Sequence, residues 1–193
     1  MGKVNRKGKA AIWTKQTINL MRQELKPNHQ RLFFEISLWT GERMGAIVQL
    51  RVEDCYDERG KVRDFITFGS GTRKSSKHGA AATRQIAIHD VLKVALRNYR
   101  PLRPGYLFPS ESAASGHITA RAVDDYWRKI LVRHGYYGFS THSSRRWVIN
   151  QLFKQGTRIK VIAKALAITT ATVERYLDSN SIDADKAIAN LSV

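Results

Sequence analysis

The sequence predicts a mainly helical α+β domain with a small antiparallel β-sheet. In most of the chain the apolar residues recur at spacings of three and four, which is the period of one helix face. Residues 61 to 68 and 84 to 88 instead hold β-branched and aromatic side chains in rough alternation, a pattern typical of strands. A chain of 193 residues is long enough to bury a substantial core, so we expect one compact domain.

The charge balance points to a polyanionic partner. Lys and Arg number 33 against 16 Asp and Glu, a formal net charge of +17, which exceeds what solubility requires and favours nucleic acid. No apolar run reaches the roughly 18 residues of a membrane helix, and the basic N-terminus lacks the apolar stretch of a secretory signal. We expect a soluble, intracellular protein. The single cysteine, Cys55, excludes an internal disulfide and is expected to be inert.

The chain divides into an arm, a main domain and a tail. Residues 1 to 13 carry four basic residues, two glycines and no acid, which predicts a flexible basic arm. Such an arm is either a frayed end or a phosphate-contacting tail. The main domain is expected to cover residues 14 to 178, and residues 179 to 193 to form a tail or a further helix.

Cap residues and apolar periodicity predict the helices in order. They run from a cap at Thr14 to about Leu25, from 28 to 39, over a short segment with Met44, Ile47, Val48 and Leu50, from 90 to 99, from a cap at Thr119 to His134, from near His142 to Gln155, from Thr157 through Leu166, and over a last short segment with Val173, Tyr176 and Leu177.

Arg43 is predicted to point inward. On a helical wheel it shares a face with Ile47 and Leu50, so its charge needs an anionic partner. The two explanations are a bound phosphate and an ion pair with one of three nearby carboxylates, Glu42, Glu53 or Asp54.

The two predicted strands are joined by residues 69 to 83, a segment rich in Gly, Ser, Ala and cations. A connection of this length is usually functional or disordered. It is either a solvated tip or a finger that delivers a lysine, Lys74 or Lys77, into a site.

A second candidate anion site lies where a helix begins near His142. Arg145 shares the inward side of that helix with Val148 and Ile149, and His142 lies about one turn before it. Helix N-termini favour anions through their free N–H groups and dipole. Tyr176 lies on the apolar side of the last helix, where tyrosines usually serve the core.

Together these residues suit one chemistry. Two guanidinium groups can hold the non-bridging oxygens of a phosphodiester, and a tyrosine hydroxyl can attack phosphorus to form a covalent ester. A lysine on the hairpin could then protonate the departing sugar oxygen. The scheme requires no metal or cofactor, and the sequence shows no convincing carboxylate cluster for one.

Four segments in this order resemble the catalytic domain of the tyrosine recombinases, the phage integrase family. The resemblance covers roughly residues 14 to 177. Its motifs are the T-G-x-R box at Thr40-Gly41-Glu42-Arg43, the hairpin lysine at Lys74, the H-x-x-R box from His142 to Arg145, and the nucleophile segment from Ala171 to Tyr176.

The resemblance implies a role for each matching residue. Arg43 and Arg145 would clamp the scissile phosphate of DNA, and His142 would act as an acid-base group or hydrogen-bond donor. Tyr176 would become linked to the 3′ phosphate and leave a 5′ hydroxyl. Lys74 would be the general acid, since it matches the family position better than Lys77.

The sequence departs from the family pattern at two places. The position three after Arg43, usually acidic, is Ala46. The position that usually holds a histidine or tryptophan before the nucleophile falls on Ala167 or Ile168, neither of which can donate a side-chain hydrogen bond. These departures favour the alternative of a catalytically impaired DNA-binding regulator.

The short chain is similar to the single-domain recombinases. The resemblance implies double-stranded DNA as partner, a homo-oligomer that forms a tetrameric synapse, and a possible accessory DNA-binding protein. It also implies action in the cytoplasm, at the nucleoid or, for a virus-encoded protein, in a host cell. The tail from 179 to 193 would pack on its own core or dock on a neighbouring protomer. An enzyme resembling type IB topoisomerases is a third possibility.

Overall fold

The computed structural model describes residues 9 to 72, 83 to 101 and 104 to 177. The two hairpin lysines, Lys74 and Lys77, and the tail from 179 to 193 lie outside the described residues. The elements, in chain order, are α1 (Lys15–Glu24), α2 (Asn28–Thr40), α3 (Met44–Ile47), β1 (Phe65–Phe68), β2 (Arg84–Ala87), α4 (Asp90–Tyr99), α5 (Ala120–Arg133), α6 (Ser143–Lys154), α7 (Ile159–Leu166) and α8 (Thr170–Tyr176).

The predicted fold class is confirmed, a mostly helical domain with a two-stranded antiparallel sheet. Three helices begin where threonine caps them, because the hydroxyls of Thr14, Thr119 and Thr169 accept hydrogen bonds from backbone N–H groups in the first turn. None of the helices in the described part of the chain is long and apolar enough to span a membrane.

The sheet is shorter than the alternation in the sequence predicts. β1 and β2 pair antiparallel from Phe65 opposite Ala87 to Phe68 opposite Arg84. The residues before Phe65 fold back in a turn instead, where Val62 forms an isolated bridge with Tyr56. The strand pair thus ends with Arg84 beside the connection that carries the hairpin lysines.

Two apolar clusters stabilise the domain. The larger cluster joins α1 to α5 and the sheet around aromatic side chains such as Phe33, Phe34, Phe68 and Phe108. The smaller cluster lies between α6, α7 and α8 and contains six buried residues: Ile149, Ile162, Ala163, Leu166, Val173 and Leu177. The last helix therefore packs on the smaller of the two cores.

Part of the predicted flexible arm belongs to the packed body. Trp13 is 2% exposed, and its ring contacts the rings of Phe34, Trp127 and Phe139. Its indole N–H donates to Ser144 at 3.0 Å. The burial of this large aromatic side chain offsets the cost of ordering residues 9 to 13, a contribution that their basic composition conceals.

Candidate active site

Arg145 is the buried cation of the candidate site. It is 3% exposed, on the first turn of α6. Its Nε donates to the carbonyl of Gly41 at 2.8 Å, and its Nη2 donates to Oε1 of Glu42 at 2.9 Å. Among the described residues Nη1 of Arg145 donates to no protein group, so this edge remains available to an anion.

A carboxylate holds this arginine and a second one. Glu42 is 2% exposed, and its Oε1 also accepts from the backbone N–H of Arg43 at 2.8 Å. Its Oε2 accepts from Nη1 of Arg84 at 2.6 Å. Glu42 therefore links the turn after α2 to β2 and α6.

The Thr40-Gly41 turn makes this arrangement possible. Gly41 has φ +59°, a left-handed conformation that glycine adopts at little cost. A Cβ added there would lie 3.1 Å from Cβ of Val148 on α6. The close approach of the turn to α6 brings the Gly41 carbonyl and the Glu42 carboxylate to Arg145.

The prediction that Arg43 points inward is wrong. Arg43 is exposed, and its extended backbone (φ −65°, ψ 139°) makes it the N-cap of α3. The helical-wheel argument fails because the helix begins one residue later, at Met44. The ion pair with Glu42, Glu53 or Asp54, one of the two explanations for Arg43, is also absent among the described residues, since Glu42 pairs with Arg84 and Arg145, and Glu53 with Arg51.

Arg43, His142 and Arg145 nevertheless face one space. They line a cavity of about 430 Å³ together with Ala46 and Thr72. The expectation that His142 and Arg145 converge is confirmed, and the exposed Arg43 lines the same cavity. Three nitrogen-bearing side chains around an open cavity form a suitable site for a phosphate group.

Tyr176 reaches this site through His142. The Tyr176 hydroxyl lies 3.0 Å from Nδ1 of His142, and their ring centroids are 6.2 Å apart. Tyr176 is half-buried at the end of α8, whereas His142 is exposed at the N-cap of α6. Neutral His142 with its proton on Nε2 can accept the phenolic proton at Nδ1.

The backbone at the end of α8 is held by polar side chains. The carbonyl of Tyr176 accepts from Nε of Arg146 at 3.2 Å and from Nδ2 of Asn150 at 3.1 Å. Nζ of Lys9 donates to the next carbonyl, that of Leu177, at 3.2 Å. Arg146 also donates to the carbonyl of Ala10, so the N-terminal segment and the end of α8 share one anchor.

Burial and neighbouring charges change the pKa of Arg145. Burial lowers the pKa of Arg145 to about 10, and the cations Arg43 and Arg84 act in the same direction. Glu42 and Tyr176 oppose this decrease in the pKa. Arg145 is therefore still protonated at neutral pH and can serve as a fixed positive charge.

The two departures from the family pattern have structural counterparts. Ala46 is 1% exposed and lines the cavity without a polar group. Ala167 ends α7 in a left-handed conformation (φ 46°) and is exposed, and Ile168 packs against the smaller cluster. Neither position supplies a hydrogen bond to the site.

Glu42, Arg84 and Asn150 were not predicted as site residues. One signal was present for Glu42, because an acid between Gly41 and Arg43 in a strongly basic chain needs a cationic partner. Its partners Arg84 and Arg145 are 42 and 103 residues away, so no local spacing identifies them. Within the described ranges, no group of three or more His, Cys, Asp or Glu side chains could hold a metal ion.

Solved structures with the same fold include a recombinase and two integrases. XerA recombinase has 16% sequence identity and a TM-score of 0.72, over 96% of this chain and 66% of that one. The Tn1549 transposon integrase in complex with transposon right end DNA has 14% identity and a TM-score of 0.69, over 98% and 68%. A lambda integrase dimer bound to a core site has 17% identity and a TM-score of 0.63, over 90% and 49%.

This chain thus spans between 49% and 68% of the length of these three proteins. Among curated proteins, no sequence matches it significantly. The model of the phage integrase family matches residues 13 to 181, which include both arginine boxes and Tyr176. The chain belongs to the phage integrase family, the tyrosine recombinases.

Proposed function

We propose that this protein cleaves and rejoins DNA at specific sites through a covalent bond between Tyr176 and a 3′ phosphate. The observation that carries the proposal is the 3.0 Å contact between the Tyr176 hydroxyl and Nδ1 of His142. His142 also lines the cavity with Arg43 and Arg145, so the nucleophile lies next to a site for the phosphate.

Each group has a defined task in the cleavage step. Nη1 of Arg145 and the guanidinium of Arg43 bind the non-bridging oxygens and stabilise the charge that develops on them. The Tyr176 oxygen forms a bond to phosphorus while its proton passes to His142, and the bond from phosphorus to the 5′ oxygen breaks. The departing oxygen takes a proton from Lys74. The attack of a free 5′ hydroxyl on the phosphotyrosine reverses the step and rejoins the DNA.

The partner in this proposal is double-stranded DNA. The net charge of +17 provides a strong, salt-dependent attraction to phosphates. One chain carries one Tyr176 and can cut one strand, so exchange between two duplexes requires four protomers. We therefore propose a tetrameric synapse, with the tail from 179 to 193 as a segment that can join neighbouring protomers.

The covalent intermediate provides the test. Duplexes selected by the protein from a random library are nicked at successive positions, so that a short fragment diffuses away after cleavage and prevents rejoining. We expect a protein–DNA adduct that survives denaturant with the wild-type protein and none with Tyr176→Phe. Tyr137→Phe is the matched control, because Tyr137 is an exposed phenol (68%) outside the site.

The rival function is a DNA-binding regulator that keeps the fold without the chemistry. Ala46 and the Ala167-Ile168 turn favour it, since both lack the polar side chains expected there. Salt-sensitive binding to the selected duplexes without any adduct would support the regulator. Relaxation of supercoiled plasmid that lacks the selected site would instead support a type IB topoisomerase.

A further inference from the structure

The Glu42 carboxylate is enclosed between three elements that carry the cationic groups of the site. Its side chain is 0% exposed, and the side chains of Arg145 and Arg84 that it pairs with are 3% and 11% exposed. Among the described residues, its carboxylate accepts hydrogen bonds from Arg145 on α6, from Arg84 on β2 and from the backbone N–H of Arg43.

The two arginines would repel each other without this carboxylate. Both are largely removed from water, where like charges interact more strongly than at the surface. Oε1 accepts a hydrogen bond from Arg145 and Oε2 accepts one from Arg84, so one carboxylate sets the separation of the two guanidinium groups. The inner edge of Arg145 is fixed by Glu42 and Gly41, and this fixes the direction of Nη1 as well.

We propose that Glu42 is a positioning residue for strand cleavage: it holds Arg145 and Arg84 in the geometry that phosphate binding needs, without contacting DNA itself. The proposal rests on the proposed function and deepens it. The proposal also gives a role to Arg84, whose bond to Glu42 ties the carboxylate to β2.

The chain contains a matched carboxylate outside the site. Glu35 on α2 is 4% exposed and also accepts three hydrogen bonds, from Nε and Nη2 of Arg22 at 2.7 and 2.9 Å and from Nε1 of Trp39 at 3.0 Å. Glu35 and Glu42 thus have similar structural roles, whereas only Glu42 pairs with an arginine of the site.

The first experiment compares Glu42→Gln with Glu35→Gln on the nicked duplexes. We expect adduct formation by folded Glu42→Gln to be slower by about 10- to 100-fold, the range over which outer-shell partners act in other sites. The Kd for DNA should stay unchanged or decrease, because a negative charge is removed from the protein. Glu35→Gln should form the adduct at the wild-type rate per folded molecule. Thermal unfolding is recorded in parallel.

The second experiment tests whether a carboxylate at another position can replace that of Glu42. Ala46 lines the same cavity as Arg145, and the cavity of about 430 Å³ has room for a longer side chain. Glu42→Gln combined with Ala46→Glu should recover at least about tenfold of the lost cleavage rate. If Glu42→Gln does not fold, Glu42→Asp replaces it, since the shorter side chain keeps the charge but cannot reach both arginines.

The outcomes separate this inference from the function on which it rests. If the wild-type protein forms no adduct, the proposed function fails. If the wild type forms it and Glu42→Gln is equally fast, or if Glu42→Gln and Glu35→Gln are slowed alike, only the positioning role of Glu42 is overturned. A folded double variant that is no faster than Glu42→Gln also overturns it.

Discussion

Arg145 and Tyr176 lie on either side of His142, and they are held in different ways. Arg145 is buried at the start of α6 and bound by a carboxylate and a carbonyl of the turn after α2. Tyr176 is half-buried on the seven-residue helix α8, which packs on the smaller apolar cluster. Within the described part of the chain, its side chain has one hydrogen bond, to His142, while its backbone carbonyl has two.

The difference indicates that one half of the site is rigid and the other is easier to move. The half that we propose to bind the phosphate is part of the main fold and cannot move without disturbing a buried ion pair. The tyrosine half depends on a short helix, a small core and a few polar contacts, features typical of the less stable parts of proteins. A nucleophile that must approach phosphorus and later release it benefits from such freedom, whereas the groups that stabilise charge benefit from rigidity.

The largest expected effect separates the two arginines. Arg145→Ala should decrease the free energy of unfolding by about 3 kcal/mol, because the buried Glu42 loses a partner. Arg43→Ala should change it by less than about 0.5 kcal/mol, since Arg43 is exposed. Both variants should form no adduct. Urea unfolding and adduct assays measure the two quantities, and equal losses of stability would refute the comparison.

A smaller effect is expected on the tyrosine side. Asn150→Ala removes one donor to the Tyr176 carbonyl and should decrease the free energy of unfolding by about 1 kcal/mol. Adduct formation should be slower by about tenfold, because a displaced nucleophile meets phosphorus less often in the required geometry. The rate is measured where the variant is fully folded. A wild-type rate there would show that the carbonyl contact does not position Tyr176.

The smallest effect concerns a helix cap and has a matched control. Thr169 caps α8 and Thr14 caps α1, each accepting from the backbone N–H three residues later at 3.2 Å. Replacement of either by alanine should cost about 1 kcal/mol of stability.

Thr169→Ala should also slow adduct formation a few-fold, since a frayed α8 holds Tyr176 less firmly, whereas Thr14→Ala should leave the rate unchanged. If both caps affect the rate equally, α8 is not the weaker half of the site.

The sequence predicted those features of the fold that depend on local chemistry. Thr14 and Thr119 were predicted to begin helices because a side-chain oxygen can accept a hydrogen bond from a free N–H group nearby, and both cap helices in the structure. Apolar periodicity placed Arg145 and Tyr176 on inward faces, because residues three or four apart lie on one side of a helix. The outward direction of Arg43 was missed because it depends on where α3 begins, to within one residue.

The rest of the site depends on contacts that are distant in sequence. Glu42 becomes a partner of Arg84 and Arg145 only when β2 and α6 meet the turn after α2. Trp13 becomes part of the core through rings more than 100 residues away, those of Trp127 and Phe139. A basic composition around such a residue predicts disorder, and tertiary packing overrides it.

We propose Tyr176 as the nucleophile, and the residue to which DNA becomes attached tests this role most directly. The adduct formed on a nicked duplex is digested with protease and nuclease, and the nucleotide-bearing peptide is sequenced by mass spectrometry. We expect the mass of the nucleotide on Tyr176 and on no other residue. Attachment to a different side chain, such as the more exposed Tyr137, would contradict the account.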